Sequence, residues 1–199
     1  MLKHKIAVLV SGSGTNLQAI LDKAAAGELP HVHIALVIAD NPAAYALTRA
    51  HQANIPTAIV CRKQFSQQEQ FEQQLLTVLA QNNIELIVLA GFLAILSGNF
   101  VQHYPKRILN IHPSLIPSFC GKGYYGLKVH QAALAYGVKL TGATVHFVNE
   151  IPDGGEIISQ KAVEILPGDT PEQLQKRVME QAEWQLLPAA IESVCTNLP

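Results

Sequence analysis

The sequence predicts an α/β fold: an open, mostly parallel sheet with a Rossmann-like N-terminal half, then an antiparallel strand pair and a long C-terminal helix. Three observations carry this expectation. Over the first 112 residues, short β-branched runs alternate with longer helix-period stretches. The strand-like runs are continuously apolar, as strands covered by helices on both faces are. After His112 the pattern breaks into a Pro- and Gly-rich stretch, two alternating runs and one amphipathic stretch.

Taken in order, residues 6–10 form an apolar strand that stops at Ser11-Gly12, and residues 16–26 carry the first helical period. Strands follow at 32–38, 57–60, 86–89 and 108–111, with helices at 43–52 and 67–81 between them. The many glutamines of residues 64–74 make a solvated helix face. Pro113, Pro117, Gly121, Gly123 and Gly126 are too dense for a regular element and predict a long loop. A helix at 127–135 and strands at 139–147 and 156–164 come next. The turn Pro152-Asp153-Gly154-Gly155 is short enough to force that last pair antiparallel. From Asp169-Thr170-Pro171 one amphipathic helix runs to about residue 194, with Leu174, Val178, Ala182, Leu186 and Ala190 on one face. The chain is expected to be one domain over 1–199, with a phosphate-binding half (1–112) and a second half (113–199).

Composition narrows the function. Lys plus Arg number 14 against 15 Asp plus Glu, a net charge of −1, which argues against a nucleic-acid binder. Apolar residues make up 49% of the chain, enough for a large core or for a homodimer face besides. Apolar runs are interrupted well before the ~18 residues of a membrane helix, so no membrane association is expected. The N-terminal run is too short for a secretory segment. Cys61, Cys120 and Cys195 are odd in number and widely spaced, as in reduced cytoplasmic proteins.

Three places carry candidate chemistry. Ser11-Gly12-Ser13-Gly14-Thr15-Asn16 lies between a strand and a helix, where free N–H groups and the helix dipole favour phosphate. It matches neither the P-loop nor the dinucleotide fingerprint, since the Lys-Ser/Thr pair is missing and Leu17 stands where a third glycine is needed. Asn16 as a helix cap is the plainer reading of that turn. Asn110 and His112 alternate onto the same side at the carboxyl end of an interior strand, where open α/β sheets bind ligands. Asp153 is one of four aspartates in the chain and is followed by two glycines. His31 and His33 lack a third metal ligand nearby, Cys120 with His112 makes a weak nucleophile pair, and His130 lies on a helix as a packed or solvent-facing residue.

Together with Leu89-Ala90-Gly91-Phe92-Leu93, Asn110-Ile111-His112-Pro113-Ser114-Leu115-Ile116-Pro117 and Thr144-Val145-His146-Phe147, these stretches resemble the folate-dependent formyltransferase family, in its phosphoribosylglycinamide formyltransferase branch. The resemblance spans nearly the whole chain. It implies small-molecule substrates, a 10-formyltetrahydrofolate co-substrate and no metal. Asn110, His112 and Asp153 match the family's catalytic trio. Gly12, Ser13, Gly14, Thr15 and Asn16 match its acceptor-phosphate turn, and Glu183 its ribose ligand. Gln68, Leu93, Ala94, Ile95, Leu96, Asn110, Asn149, Glu150, Ile151, Pro152 and Asp153 match the stretches bordering the folate.

The sequence departs from the family at Ala94 and Gln68, where many members carry arginine, and Arg62 or Lys63 are the nearby replacements. Residues 119–126 form a longer segment whose glycines suit a lid, and one extra residue precedes Glu183. In the implied reaction Asn110 and protonated His112 stabilise an oxyanion, and the charge of Asp153 raises the pKa of His112. Rival readings are hydrolysis of the formyl donor, transfer to another amine such as an amino sugar nucleotide, and a nucleotide-binding module using Asp40.

Overall fold

The computed structural model describes residues 2–198; Met1 and Pro199, the ends of the expected domain, lie outside the described residues. Seven strands form one sheet in the order β3-β2-β1-β4-β5-β6-β7. The strands are β1 (His4–Val10), β2 (Val32–Ala39), β3 (Thr57–Ile59), β4 (Leu86–Leu89), β5 (Ile108–His112), β6 (Leu140–Phe147) and β7 (Ile157–Glu164). The first five run parallel and the last two antiparallel, as the runs and the short turn predicted. Strand order reverses between β1 and β4, so the loops leaving them part at the carboxyl edge and open a crevice.

Helices α1 (Thr15–Ala25), α2 (Tyr45–Gln52), α3 (Gln68–Gln81), α4 (Gly98–Gln102), α5 (Leu127–Tyr136), α6 (Pro171–Val178) and α7 (Trp184–Thr196) cover the sheet. Their apolar residues form two cores, one per face: β1, β4 and β5 residues pack with α1, α6 and α7 on one side and with α3 and α4 on the other. This two-sided burial is why the parallel strands read as unbroken apolar runs. The short α4 and the 3-10 turn Arg62–Gln64 have no counterpart in the expected elements, because five or fewer residues hold too little periodicity to register.

The C-terminal helix differs from expectation. It is broken by a π-helical turn, Met179–Glu183, and past this turn the buried face continues through Leu187, Ala190 and Ile191, while Leu186 is only half-buried. At about 100° per residue, the nine steps from Val178 to Leu187 would place them roughly 180° apart on a regular helix. A π turn absorbs one residue, which reduces the separation to about 80° and keeps both in the core.

Candidate active site

The crevice is a cleft of about 800 Å³ lined by the ends of β1, β4, β5 and β6, the segment after β5, and the π turn. At its β1 wall, Gly14 adopts φ 72° at the mouth of α1, and a Cβ there would lie 2.6 Å from that of Ala46, so the turn excludes a side chain twice over. No side chain caps α1, so its first-turn N–H groups take no partner from the capping residue. The expected cap, Asn16, instead sits inside α1 and donates from its amide to Glu183 Oε2 at 2.6 Å. Glu183 is 6% exposed, and burial pushes its carboxyl above the ordinary value against the lowering effect of the Asn16 hydrogen bond.

At the centre, the sequence-distant trio meets. Asn110 on β5 donates to Asp153 Oδ1 at 3.3 Å, and His112 Nδ1 lies 3.5 Å from Asp153 Oδ2. The Gly121 N–H donates to the same Oδ2 at 2.8 Å. Asp153 holds φ 56°, a conformation that aspartate tolerates better than most residues, and its turn fits because Gly155 packs where a Cβ would stand 1.7 Å from the Phe147 carbonyl oxygen. His112 Nε2 donates to the Phe119 carbonyl at 2.9 Å, leaving Nδ1 facing the carboxylate.

Burial disfavours the Asp153 anion, but the neighbouring His146 ring, the His112 charge and the Gly121 N–H outweigh it and hold the carboxyl below the usual range. Burial pushes His112 below its ordinary value; the Asp153 charge and the Phe119 carbonyl act upward and do not overcome it. The expectation that Asp153 raises the His112 pKa is therefore correct for that one interaction and reversed in the net, because the imidazole is almost fully removed from water.

A fourth polar group, His146, was not singled out as a site residue from sequence. Its Nε2 lies 3.2 Å from Asn110 Nδ2 and 3.6 Å from Asp153 Oδ1. The signal was present but needed the pairing: Asn110 and His146 are opposed residues of the β5–β6 ladder, and period-two alternation then puts both on the same face.

The remaining wall is apolar. Leu93, Ile95 and Ile151 line the cleft with 62%, 61% and 59% of their surfaces exposed, together with Ala94, Leu96, Asn149, Glu150 and Pro152. This wall is tied to the phosphate-like turn by Ser11, whose Oγ accepts from the Leu93 N–H at 2.8 Å. Gln68 is not part of the lining: its amide donates to Glu72 at 2.8 Å and to the Ile95 carbonyl at 3.0 Å, bracing the wall from behind. Arg62 also turns away, donating to the Phe65 carbonyl and lying over the Phe71 ring.

Other singled-out residues fall elsewhere. Asp40 does not line the cleft; burial raises its carboxyl against the smaller, lowering influence of Ser11. His31 Nδ1 pairs with Glu192 at 2.5 Å, tying β2 to α7. Ser114 is fully buried and orders the following loop by donating to the Ser118 carbonyl at 2.6 Å. His130 is fully buried, with both ring nitrogens unpartnered. Among the described residues, no group of three or more His, Cys, Asp or Glu is arranged to hold a metal ion, and no helix is long and apolar enough to cross a membrane.

Known proteins resemble this chain over nearly its whole length. The chain is 45% identical over 188 residues to the phosphoribosylglycinamide formyltransferase of Haemophilus influenzae, covering 94% of this chain and 85% of that one. It is 43% identical over 195 residues to the trifunctional purine biosynthetic protein adenosine-3 of Gallus gallus, covering 98% of this chain but only 19% of that much longer protein. The crystal structure of glycinamide ribonucleotide transformylase 1 from Symbiobacterium toebii superposes with a TM-score of 0.91 at 40% identity, covering 98% of this chain and 88% of that one. The formyl transferase family model matches residues 4–191, and the chain belongs to that family.

Proposed function

We propose that this protein transfers the formyl group of 10-formyltetrahydrofolate to the primary amine of glycinamide ribonucleotide, a step of purine synthesis, in the cytoplasm. One observation carries the reading: the Asn110–His112–Asp153 cluster lies in the same cleft as the phosphate-like turn and Glu183, so a donor carbonyl and a phosphorylated acceptor can meet there. Residues 1–112 and 113–199 act as one unit, since each brings part of that cluster.

Each wall has a task. Gly12 to Asn16 offer backbone N–H groups to the acceptor phosphate, and Glu183, held by Asn16, accepts from ribose hydroxyls. The apolar wall of Leu93, Ile95, Leu96 and Ile151 takes the folate ring, with backbone groups of residues 93–96 and 149–152 supplying polarity. Gln68 supports that wall through Ile95 and does not touch the donor.

As the amine attacks, the formyl oxygen gains negative charge. The Asn110 amide, whose 3.3 Å bond to Asp153 is the longer of its two contacts, swings to this oxygen, and His112 Nδ1 supplies a second donor when protonated. Losing one such donor costs about 10²- to 10³-fold in rate. Asp153, ionised at neutral pH, favours the charged imidazole and takes the proton leaving the amine, to return it to the departing nitrogen of the folate. No covalent intermediate is needed.

The deciding experiment incubates purified protein with 10-formyltetrahydrofolate, with and without glycinamide ribonucleotide, and follows loss of the formyl donor. Acceptor-dependent loss is expected. Formate release at the same rate without acceptor would make the protein a hydrolase instead, and no loss in either case would defeat the assignment.

A further inference from the structure

The cleft is short of positive charge. Among the described residues lining it, Lys122 is the only lysine or arginine, while Glu150, Asp153 and Glu183 are acidic. Yet, on the reading above, the cleft must admit a phosphate ester carrying close to two negative charges. Backbone N–H groups and a helix dipole supply only a partial charge of about half an elementary unit.

Lys122 is placed to supply the rest. It stands between Gly121 and Gly123, both at positive φ (84° and 96°), in the strap that runs from Asp153 to the start of α5. One end of that strap is pinned to the reaction centre by the Gly121 N–H on Asp153. The other leads into α5, which packs on α6. The π turn that follows α6 meets the phosphate-like turn through Met179, whose sulfur lies 3.7 Å from Thr15 Oγ1. The strap thus leads to the acceptor side of the centre through α5, α6 and the π turn, and at Gly121 it also comes close to the Pro152 carbonyl.

The side chain is also uncommitted. Neighbouring Lys128 is held by Tyr125, with Nζ 2.9 Å from its hydroxyl and 4.5 Å from its ring centroid, whereas Lys122 is exposed and has no hydrogen-bond or ion-pair partner among the described residues. An ammonium on a long flexible stem, next to a cleft that is otherwise acidic, lacks only its counter-anion.

We propose that Lys122 binds the phosphate group of the acceptor, closing over it from the strap while the α1 turn holds it from below. This rests on the assigned reaction but is tested apart from it. Lys122→Met and Lys122→Arg are assayed in the full chain by steady-state kinetics with each substrate varied in turn, and by calorimetric titration with ribose 5-phosphate, which needs no turnover. Lys122→Met is expected to raise acceptor KM and weaken ribose 5-phosphate binding tenfold or more, with kcat and donor KM within twofold of the parent and most of the loss restored in Lys122→Arg. Unchanged acceptor KM and ribose 5-phosphate affinity would overturn the proposal, as would an increase confined to donor KM, which would place the lysine on the folate tail. If the parent binds ribose 5-phosphate through Lys122 yet transfers no formyl group, the reaction assignment fails and the phosphate contact stands.

Discussion

The amide of Asn16 and the carboxylate of Glu183 meet at 2.6 Å although 167 positions separate them in the chain. This contact welds the turn after β1 to the π turn between α6 and α7, and it sets the glycine turn beside a buried carboxylate. Replacing Glu183 by Gln keeps its size and a hydrogen-bond acceptor but removes the charge. Acceptor KM is expected to rise by roughly tenfold or more, the scale of losing a charge-assisted hydrogen bond, with donor KM unchanged. A shift in donor KM of the same size would remove Glu183 from the acceptor site.

Asp153→Asn is expected to fold normally. Asparagine tolerates the same φ of 56° and can accept from the Gly121 N–H. Turnover should fall by about 10²- to 10⁴-fold, since the substituted side chain can neither carry the proton nor offset the imidazolium charge. Circular dichroism and the thermal midpoint serve as controls. Near-parental kcat would exclude Asp153 from the chemistry.

The same variant has a second readout. Burial already holds His112 below its ordinary pKa, and the Asp153 charge opposes that shift. Removing the anion withdraws support from the charged imidazole, so the His112 titration should move to lower pH still. Nuclear magnetic resonance of the imidazole protons can follow it. An unchanged or raised midpoint would mean that the 3.5 Å approach carries no electrostatic coupling.

His130 makes stability depend on pH. Buried without polar partners, its imidazole is pushed down to about 4, mainly by desolvation and further by repulsion from His112. The unfolded chain takes up a proton near pH 6.5 and the folded chain only near 4, so stability falls as pH drops through that window and the loss is complete below it. It amounts to on the order of 3 kcal/mol. His130→Leu, which removes both unpaired nitrogens, should flatten denaturation midpoints between pH 6.5 and 4. An equally steep decline in the variant would assign the acid sensitivity to other groups.

Much of this protein was legible in its sequence because the relevant physics is local. Continuous apolar runs spaced by helical periods specify two-sided parallel strands, and the Asp153-Gly154-Gly155 turn forces β6 and β7 antiparallel. Asn110 and His112 share a strand face by period-two alternation alone. Asp153 stood out by its glycine-flanked turn; the resemblance to formyltransferases added Glu183 and joined both to that strand, which no local pattern does.

Tertiary structure decided what depends on the far side of a contact. Asn16 reads as a helix cap until Glu183 is brought opposite it, and His146 reads as an ordinary strand residue until register pairs it with Asn110. Gln68 turns to brace Ile95, where alignment by resemblance alone set it beside the folate. A single helical stripe through Leu186 becomes a stripe through Leu187 because one surplus residue is absorbed in a π turn, a choice made by core packing and not by the intrinsic period. The net pKa of His112 belongs to the same class, since desolvation is set by everything that surrounds a group, and the chain's linear order contains only its neighbours.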